Sequence, residues 1–201
     1  MKPLSGNFDK RKALSPFEWR IMALADAMRI EHFISIGPGK TARLAREMSY
    51  YSDDERTVAL IEPRVECWGG WHKEVLDHFR LVSAPCPRAL SGFRYRGPTL
   101  IESISSLHYL DYYERLECWR AARAVSREVW LAVSYKSTDT WMLRDGFDDG
   151  RQRHFYESML QLTSELTDTG WAIVDTHERQ GDGYEVDGKS SVWFDVIAMG
   201  A

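Results

Sequence analysis

Residues 33 to 42 read Phe-Ile-Ser-Ile-Gly-Pro-Gly-Lys-Thr-Ala, and this stretch decides the fold. Its apolar start is typical of a short buried strand, which Gly37 and Gly39 then break into a turn that opens a helix. Glycine has no side chain to hold a ligand off the backbone, and the first amides of a helix offer hydrogen-bond donors. The stretch therefore predicts a strand, a ligand-binding turn and a helix.

The spacing of Gly37, Gly39 and Ala42 matches Gly-x-Gly-x-x-Ala, a pattern of nucleotide-cofactor turns that also occurs in turns that bind nothing. A second apolar run, residues 58 to 61, ends at Glu62. A carboxylate at the tip of the second strand can accept hydrogen bonds from both hydroxyls of a ribose. We therefore predict that Gly37, Gly39 and Glu62 hold a nucleotide cofactor.

The tail Gly39-Lys40-Thr41 also copies the end of a phosphate-binding P-loop. That motif needs a glycine five residues before Gly39, where the chain has Ile34 inside the predicted strand. This mismatch argues against a P-loop.

Length and charge narrow the class of protein. The 201 residues suit one domain, which we place at 16–201 after a flexible, basic N-terminus at 1–15. The 26 basic and 30 acidic residues give a net charge of −4, which provides no global electrostatic footprint for nucleic acid.

The cysteines indicate the compartment. Cys67, Cys86 and Cys118 show neither metal-ligand nor disulfide-framework spacing, so we predict free thiols, no metal site and a cytoplasmic protein. No apolar signal core or membrane-spanning run is present in the sequence, so we expect no membrane association.

Periodicity and turn residues predict an alternating α/β chain. The predicted strands are 32–36, 58–61, 81–83, 99–103, 129–134, 171–177 and 191–199, and the predicted helices are 16–28, 40–50, 65–79, 111–125 and 151–168. Residues 84–98 and 137–150 are predicted to be irregular, and residues 178–188 to form a long hairpin tip. The fold class is a single-domain, doubly wound, mostly parallel sheet of about seven strands with a C-terminal antiparallel hairpin.

Together, these features resemble the class I S-adenosylmethionine-dependent methyltransferases over nearly the whole chain. The family's first motif is an acidic residue followed by Gly-x-Gly-x-Gly, whereas this chain has Ser35 at the acidic position and Thr41 at the third glycine. The resemblance implies S-adenosylmethionine as cofactor and places Ser35 with the two glycines and Glu62 around it. Ser83 and Ser103, which end strands three and four, complete the predicted cofactor contacts.

Residues 99 to 111, Thr-Leu-Ile-Glu-Ser-Ile-Ser-Ser-Leu-His-Tyr-Leu-Asp, resemble the fourth motif of small-molecule methyltransferases, with Glu102 in the family's Asp region. Just past strand four, His108 is the candidate base and Tyr109 could orient an acceptor. The alternative is that both residues only pack on the cofactor loop.

A NAD-binding Rossmann domain would equally permit the glycines and Glu62. Two features favour the methyltransferase. An amphipathic helix precedes the glycine strand here, and a dehydrogenase needs a second, substrate-holding domain for which no residues remain.

Acidic and aromatic residues are expected to flank the mouth of the site. Trp141 and Asp145 in one loop and Tyr184 in the hairpin tip are the candidate substrate contacts, suited to an amine. Solvated acidic turns are the alternative.

Residues 88–96 alternate arginines with rings, as single-strand nucleic-acid binders do. An RNA or cap methyltransferase therefore stays open, as does a degenerate fold that only binds a partner. A small acceptor is favoured because the net charge is negative.

Overall fold

A seven-stranded sheet organises the protein. The computed structural model describes residues 14–38, 42–50, 56–63, 79–104, 106–137, 154–186 and 189–200, with the backbone alone for 50, 182–186, 189 and 190. The strands are β1 (His32–Ile36), β2 (Thr57–Ile61), β3 (Arg80–Val82), β4 (Thr99–Ile104), β5 (Val129–Lys136), β6 (Trp171–Val186) and β7 (Lys189–Gly200). The helices are α1 (Pro16–Ala27), α2 (Arg43–Tyr50), α3 (Tyr112–Arg123) and α4 (Met159–Thr167), with 3-10 helices at Leu90–Gly92 and Leu107–Tyr109.

The strand order is β3-β2-β1-β4-β5-β7-β6. All pairs are parallel except those of β7, which is antiparallel to both β5 and β6. This is the predicted mostly parallel sheet with a closing hairpin, so the fold-class prediction is confirmed. The predicted helix at 65–79 lies almost wholly outside the described residues.

Successive side chains of the central strands point to opposite faces of the sheet, and both faces are buried. This is expected when helices cover both sides of a parallel sheet. One face contacts α1 and α2 through a core that includes Phe33, Leu100 and Ile197. The opposite face packs on α3 and α4 through Ile34, Ile101 and Leu131.

The start of α1 follows directly from its sequence. Ser15 caps the helix by accepting a hydrogen bond from the Glu18 amide, while the Glu18 carboxylate accepts one from the Ser15 amide at 2.7 Å. Pro16 occupies the first helical position, where its missing amide costs no hydrogen bond.

A buried network joins α3, α4 and the segment before α4. Glu165 accepts hydrogen bonds from Arg115 at 3.1 Å, Trp119 Nε1 at 2.8 Å and the Tyr156 hydroxyl at 2.6 Å. Arg115 compensates the charge of the buried carboxylate, and the other two donors satisfy its remaining hydrogen-bonding capacity, so losing any of the three would destabilise the network. The network fixes Tyr156 and its neighbours beside the sheet.

The prediction of a helix over 151–168 is wrong at its start. The helix begins at Met159, after the N-cap Ser158, and residues 154–158 are irregular. Phe155 fits helical spacing, yet its ring stacks on His108 with centroids 5.8 Å apart. A tertiary contact therefore outweighs the local pattern.

The hairpin tip predicted at 178–188 is also wrong, because β6 continues to Val186 and pairs with β7. The pairing register shifts between Gln180 and Glu185, and this irregularity accommodates the glycines that predict a turn.

Among the described residues, no helix is long and apolar enough to cross a bilayer.

Candidate active site

A cleft of about 520 Å³ opens at the carboxyl edge of the sheet, beside the ends of β1, β2 and β4. In the sheet, β1 lies between β2 and β4. The strands β2 and β3 extend the sheet on one side of β1, and β4 and β5 extend it on the other, so the strand order reverses between β1 and β4. Open α/β sheets bind ligands at such a point. The predicted glycine turn and Glu62 both line this cleft.

Gly37 needs to be a glycine for two reasons. Its φ of 62° lies in the left-handed region, and a Cβ atom built on it would overlap the Cβ of Ser106. Its amide also donates to the Ile61 carbonyl at 2.8 Å, which ties the turn to β2. The turn is thus held between β2 and the segment after β4.

Glu62 follows β2 directly and is only 1% exposed. Its amide donates to the Val82 carbonyl at 3.2 Å, which continues the parallel pairing one residue past the strand. This hydrogen bond fixes the backbone that carries the carboxyl side chain at the cleft wall.

Ser35 and Glu102 are register partners on β1 and β4, and both line the cleft. The Ser35 hydroxyl donates to Glu102 Oε2 at 2.5 Å, with both residues buried. Burial raises the pKa of the Glu102 carboxyl to about 8, although the Ser35 hydrogen bond opposes part of that rise.

Glu18 and Arg43 also line the cleft, and sequence patterns do not identify them as site residues. Arg43 Nε donates to Glu18 Oε1 at 3.2 Å, and its Nη2 contacts Oε2 of the same carboxylate. The capping box of α1 gives a local signal for Glu18, but only tertiary packing brings it to α2.

His108 and Tyr109 lie in the 3-10 helix after β4 and line the cleft, as does Ser106 before them. His108 is buried, and its carbonyl accepts from the His154 amide at 2.7 Å. Because Phe155 stacks on the imidazole, residues 154 and 155 fix its position and shield it from water.

Ser103 and Ser83 do not belong to the described lining of the cleft. The Ser103 hydroxyl is 2.7 Å from Ser106 Oγ and 3.0 Å from the Tyr135 hydroxyl, so it links Ser106 of the lining to β5. Ser83 is exposed just past β3.

Four predicted contacts fall outside what the structure describes. Gly39, Trp141 and Asp145 lie outside the described residues, and Tyr184 belongs to β6 with its side chain outside them. Their assignments stay predictions.

The two rings of the arginine and ring segment lie away from the described lining of the cleft. Tyr95 stacks on His32, the first residue of β1, with centroids 3.9 Å apart, so Tyr95 lies at the amino edge of the sheet. Phe93 is 1% exposed and covered by Arg80. The Phe93 ring is therefore unavailable to stack on bases from solution, and Tyr95 is half-buried.

The described residues contain no group of three His, Cys, Asp or Glu side chains placed to hold a metal ion. Cys86 and Cys118 are buried free thiols, and burial raises the pKa of Cys118.

No family model matches the sequence, and no curated protein matches it. Solved structures do match. A SAM-dependent methyltransferase from Methanosarcina mazei is 15% identical with a TM-score of 0.62, covering 94% of this chain and 98% of its own. One from Clostridium acetobutylicum is 10% identical with a TM-score of 0.61, covering 90% and 89%.

A magnesium protoporphyrin IX methyltransferase from Synechocystis, solved with bound SAH, is 12% identical with a TM-score of 0.58. The match covers 92% of this chain and 82% of that one. These likenesses and the strand order show that the chain has the class I methyltransferase fold.

Proposed function

We propose that this protein is an S-adenosylmethionine-dependent methyltransferase that acts in the cytoplasm on a small or medium-sized acceptor. The observation that carries the proposal is the cleft at the β1–β4 switch point, which the Gly37 turn and Glu62 line together. The similar structures are methyltransferases by name, which supports the same chemistry.

The cleft suits the cofactor by shape and charge. Glu62 can accept hydrogen bonds from ribose hydroxyls, and the backbone of the glycine turn allows a ligand to approach closely. The described lining holds three carboxyl groups, Glu18, Glu62 and Glu102, and one guanidinium, Arg43. A cationic sulfonium cofactor therefore fits better than a dinucleotide, whose anionic pyrophosphate would meet these acids.

When bound, the sulfonium would supply an electrophilic methyl group. The chain's own residues then have to place the acceptor, exclude water and take up a proton where the acceptor carries one. We assign proton uptake to an imidazole nitrogen of His108 and acceptor orientation to the Tyr109 hydroxyl. The Phe155 ring against His108 supports a site with restricted water access.

An amine is the acceptor class we favour. Trp141 and Asp145 after β5, with Tyr184 on β6, are proposed to bind it by charge and by cation-π contact. The buried ring of Phe93 and the amino-edge position of Tyr95 argue against an RNA-binding surface there.

The resemblance to 2′-O RNA methyltransferases would imply a catalytic lysine in the cleft, for which Lys136 is the candidate. Lys136 at the end of β5 lies over the Trp193 ring at 4.7 Å and is absent from the described lining. A binding module without catalysis remains the alternative from another class, and it is tested by the same experiment.

The test is a calorimetric titration of the full chain with S-adenosylmethionine and, separately, with NAD. The proposal expects one cofactor bound per chain at submillimolar affinity and no comparable NAD binding, followed by label transfer to members of an amine and phenol panel. Absence of cofactor binding contradicts the proposal. Binding without transfer to any small or RNA acceptor favours the binding module.

A further inference from the structure

The described lining of the cleft holds three carboxyl groups, Glu18, Glu62 and Glu102, and one guanidinium, Arg43. Arg43 already contacts Glu18, so its positive charge is matched within the lining. Glu62 and Glu102 add two further carboxyl groups to the same cavity. A ligand that brings positive charge would favour the ionised form of a carboxyl group that it reaches.

Glu102 lies deep in that cavity. It is 4% exposed and is the register partner of Ser35, whose hydroxyl contacts its carboxyl at 2.5 Å. Ser35 is two residues before the glycine turn, where the resemblance expects an acid. Glu102 on the neighbouring strand β4 therefore lies within hydrogen-bond distance of Ser35, the position at which the resemblance expects an acid.

The surroundings of Glu102 hold it protonated near neutrality. Burial raises its pKa to about 8, and the charge of Glu18 adds to the rise. The titratable or charged groups that share the described lining with Glu102 are Glu18 of α1, Arg43 of α2, Glu62 after β2, Cys86 after β3, and His108 and Tyr109 after β4. The register partner on β5 is Ala132, which does not titrate.

We propose that Glu102 binds the positively charged part of S-adenosylmethionine and gives up its proton to solvent as that charge enters the cleft. The inference rests on the proposed function. The carboxyl O–H bond breaks, its electron pair stays on the carboxylate, and the proton passes to the buffer. A nearby cation favours the charged form, which reverses the effect of burial.

This linkage makes cofactor affinity depend on pH. Below about pH 8 the free protein must lose a proton to bind, so affinity rises by up to about tenfold per pH unit and then levels off. A buried glutamate with a purely structural role would give no such dependence.

The experiment is calorimetry of the full chain with S-adenosylmethionine near neutral pH in phosphate and in Tris, whose ionisation enthalpies differ. The difference between the binding heats in the two buffers gives the number of protons that are released when the cofactor binds. Glu102→Gln should release about one proton fewer and bind at least about tenfold more weakly, whereas Glu117→Gln on the exposed face of α3 should match wild type. The cofactor's own titration is common to all three proteins and cancels in the comparison.

Exchanging the acid and the serine between the two strands separates the effect of the carboxyl group on cofactor binding from its effect on packing. Ser35→Asp with Glu102→Ser moves the acid to the adjacent strand and should recover most of the affinity that Glu102→Gln loses. This double variant also carries the test if thermal denaturation shows Glu102→Gln to be unfolded.

Glu102→Gln with wild-type affinity and wild-type proton release overturns the inference and leaves the proposed function intact. Failure of the swap to recover any affinity in a folded protein overturns it too. A wild-type chain that binds no S-adenosylmethionine overturns both.

Discussion

Ser35 Oγ and Glu102 Oε2 lie 2.5 Å apart across adjacent parallel strands, buried beneath the glycine turn. The pair is 67 residues apart in sequence, and only the register of β1 against β4 brings it together. A carboxyl group in such a place affects both the stability of the fold and the ligand that the cleft accepts.

The first prediction concerns stability and pH. The raised pKa of about 8 means that folded Glu102 keeps a proton that the unfolded chain loses above about pH 4.5. The contribution of Glu102 to stability is therefore largest below that lower value and falls as pH rises toward about 8, by up to about 1.4 kcal/mol per pH unit. In denaturant titrations at a series of pH values, Glu102→Gln should remove this part of the slope. Parallel profiles for the two proteins would show that Glu102 does not titrate in this way.

The second prediction concerns the ribose. Glu62→Ala should weaken S-adenosylmethionine binding by about 1.5–3 kcal/mol, because a charge-assisted pair of hydrogen bonds is lost. Calorimetry provides the measurement, and Glu117→Ala outside the cleft is the control. Unchanged affinity in Glu62→Ala would remove this residue from the cofactor site.

The third prediction separates backbone strain from contact at the glycine turn. Gly37 and Gly170 both have positive φ, but only at Gly37 would a Cβ meet another residue, Ser106. Gly170→Ala should lower the unfolding free energy by about 1–2 kcal/mol from strain alone. Gly37→Ala should cost more and should also weaken cofactor binding. Equal losses in urea denaturation would contradict the proposed contact with Ser106.

The fourth prediction tests His108 as a base. His108→Asn should lower turnover by about a hundredfold or more while changing cofactor affinity little, since proton uptake contributes to the reaction and not to binding. The exposed His177→Asn on β6 is the matched control. A parallel loss of binding and turnover would assign His108 to structure.

The fifth prediction separates the acceptor classes. Neutralising Asp145 and Asp148, two acidic residues of the loop predicted at 137–150, should raise the Michaelis constant for an amine more than it lowers turnover, because a remote charge contributes mostly uniform binding. Arg94→Ala with Arg96→Ala, at the amino edge, should change neither quantity. Oligonucleotide binding near physiological salt, with a salt slope that this arginine variant flattens, would instead support an RNA acceptor.

The sequence predicts those parts of the fold whose signals are local. The bounds of β1, residues 32 to 36, follow from an apolar run that Gly37 ends, and the start of α1 follows from the cap at Ser15. Gly37 and Glu62 are predictable as neighbours because carboxyl ends of parallel strands meet at one edge.

Other features depend on contacts between distant segments. Nothing around Glu18 indicates that Arg43 will meet it, because that contact depends on how α1 and α2 pack on the sheet. Phe155 follows helical spacing but stacks on His108, and the glycines near 181 predict a turn where strand pairing continues. In each case, tertiary packing outweighs a local preference.

A crystal structure of the chain grown with S-adenosylhomocysteine would locate the cofactor directly. We predict density in the cleft between β1 and β4, with the ribose hydroxyls within hydrogen-bond distance of Glu62 and the amino-acid end beside Glu102. Ligand bound elsewhere, or an empty cleft at millimolar ligand, would contradict a methyltransferase function for this site.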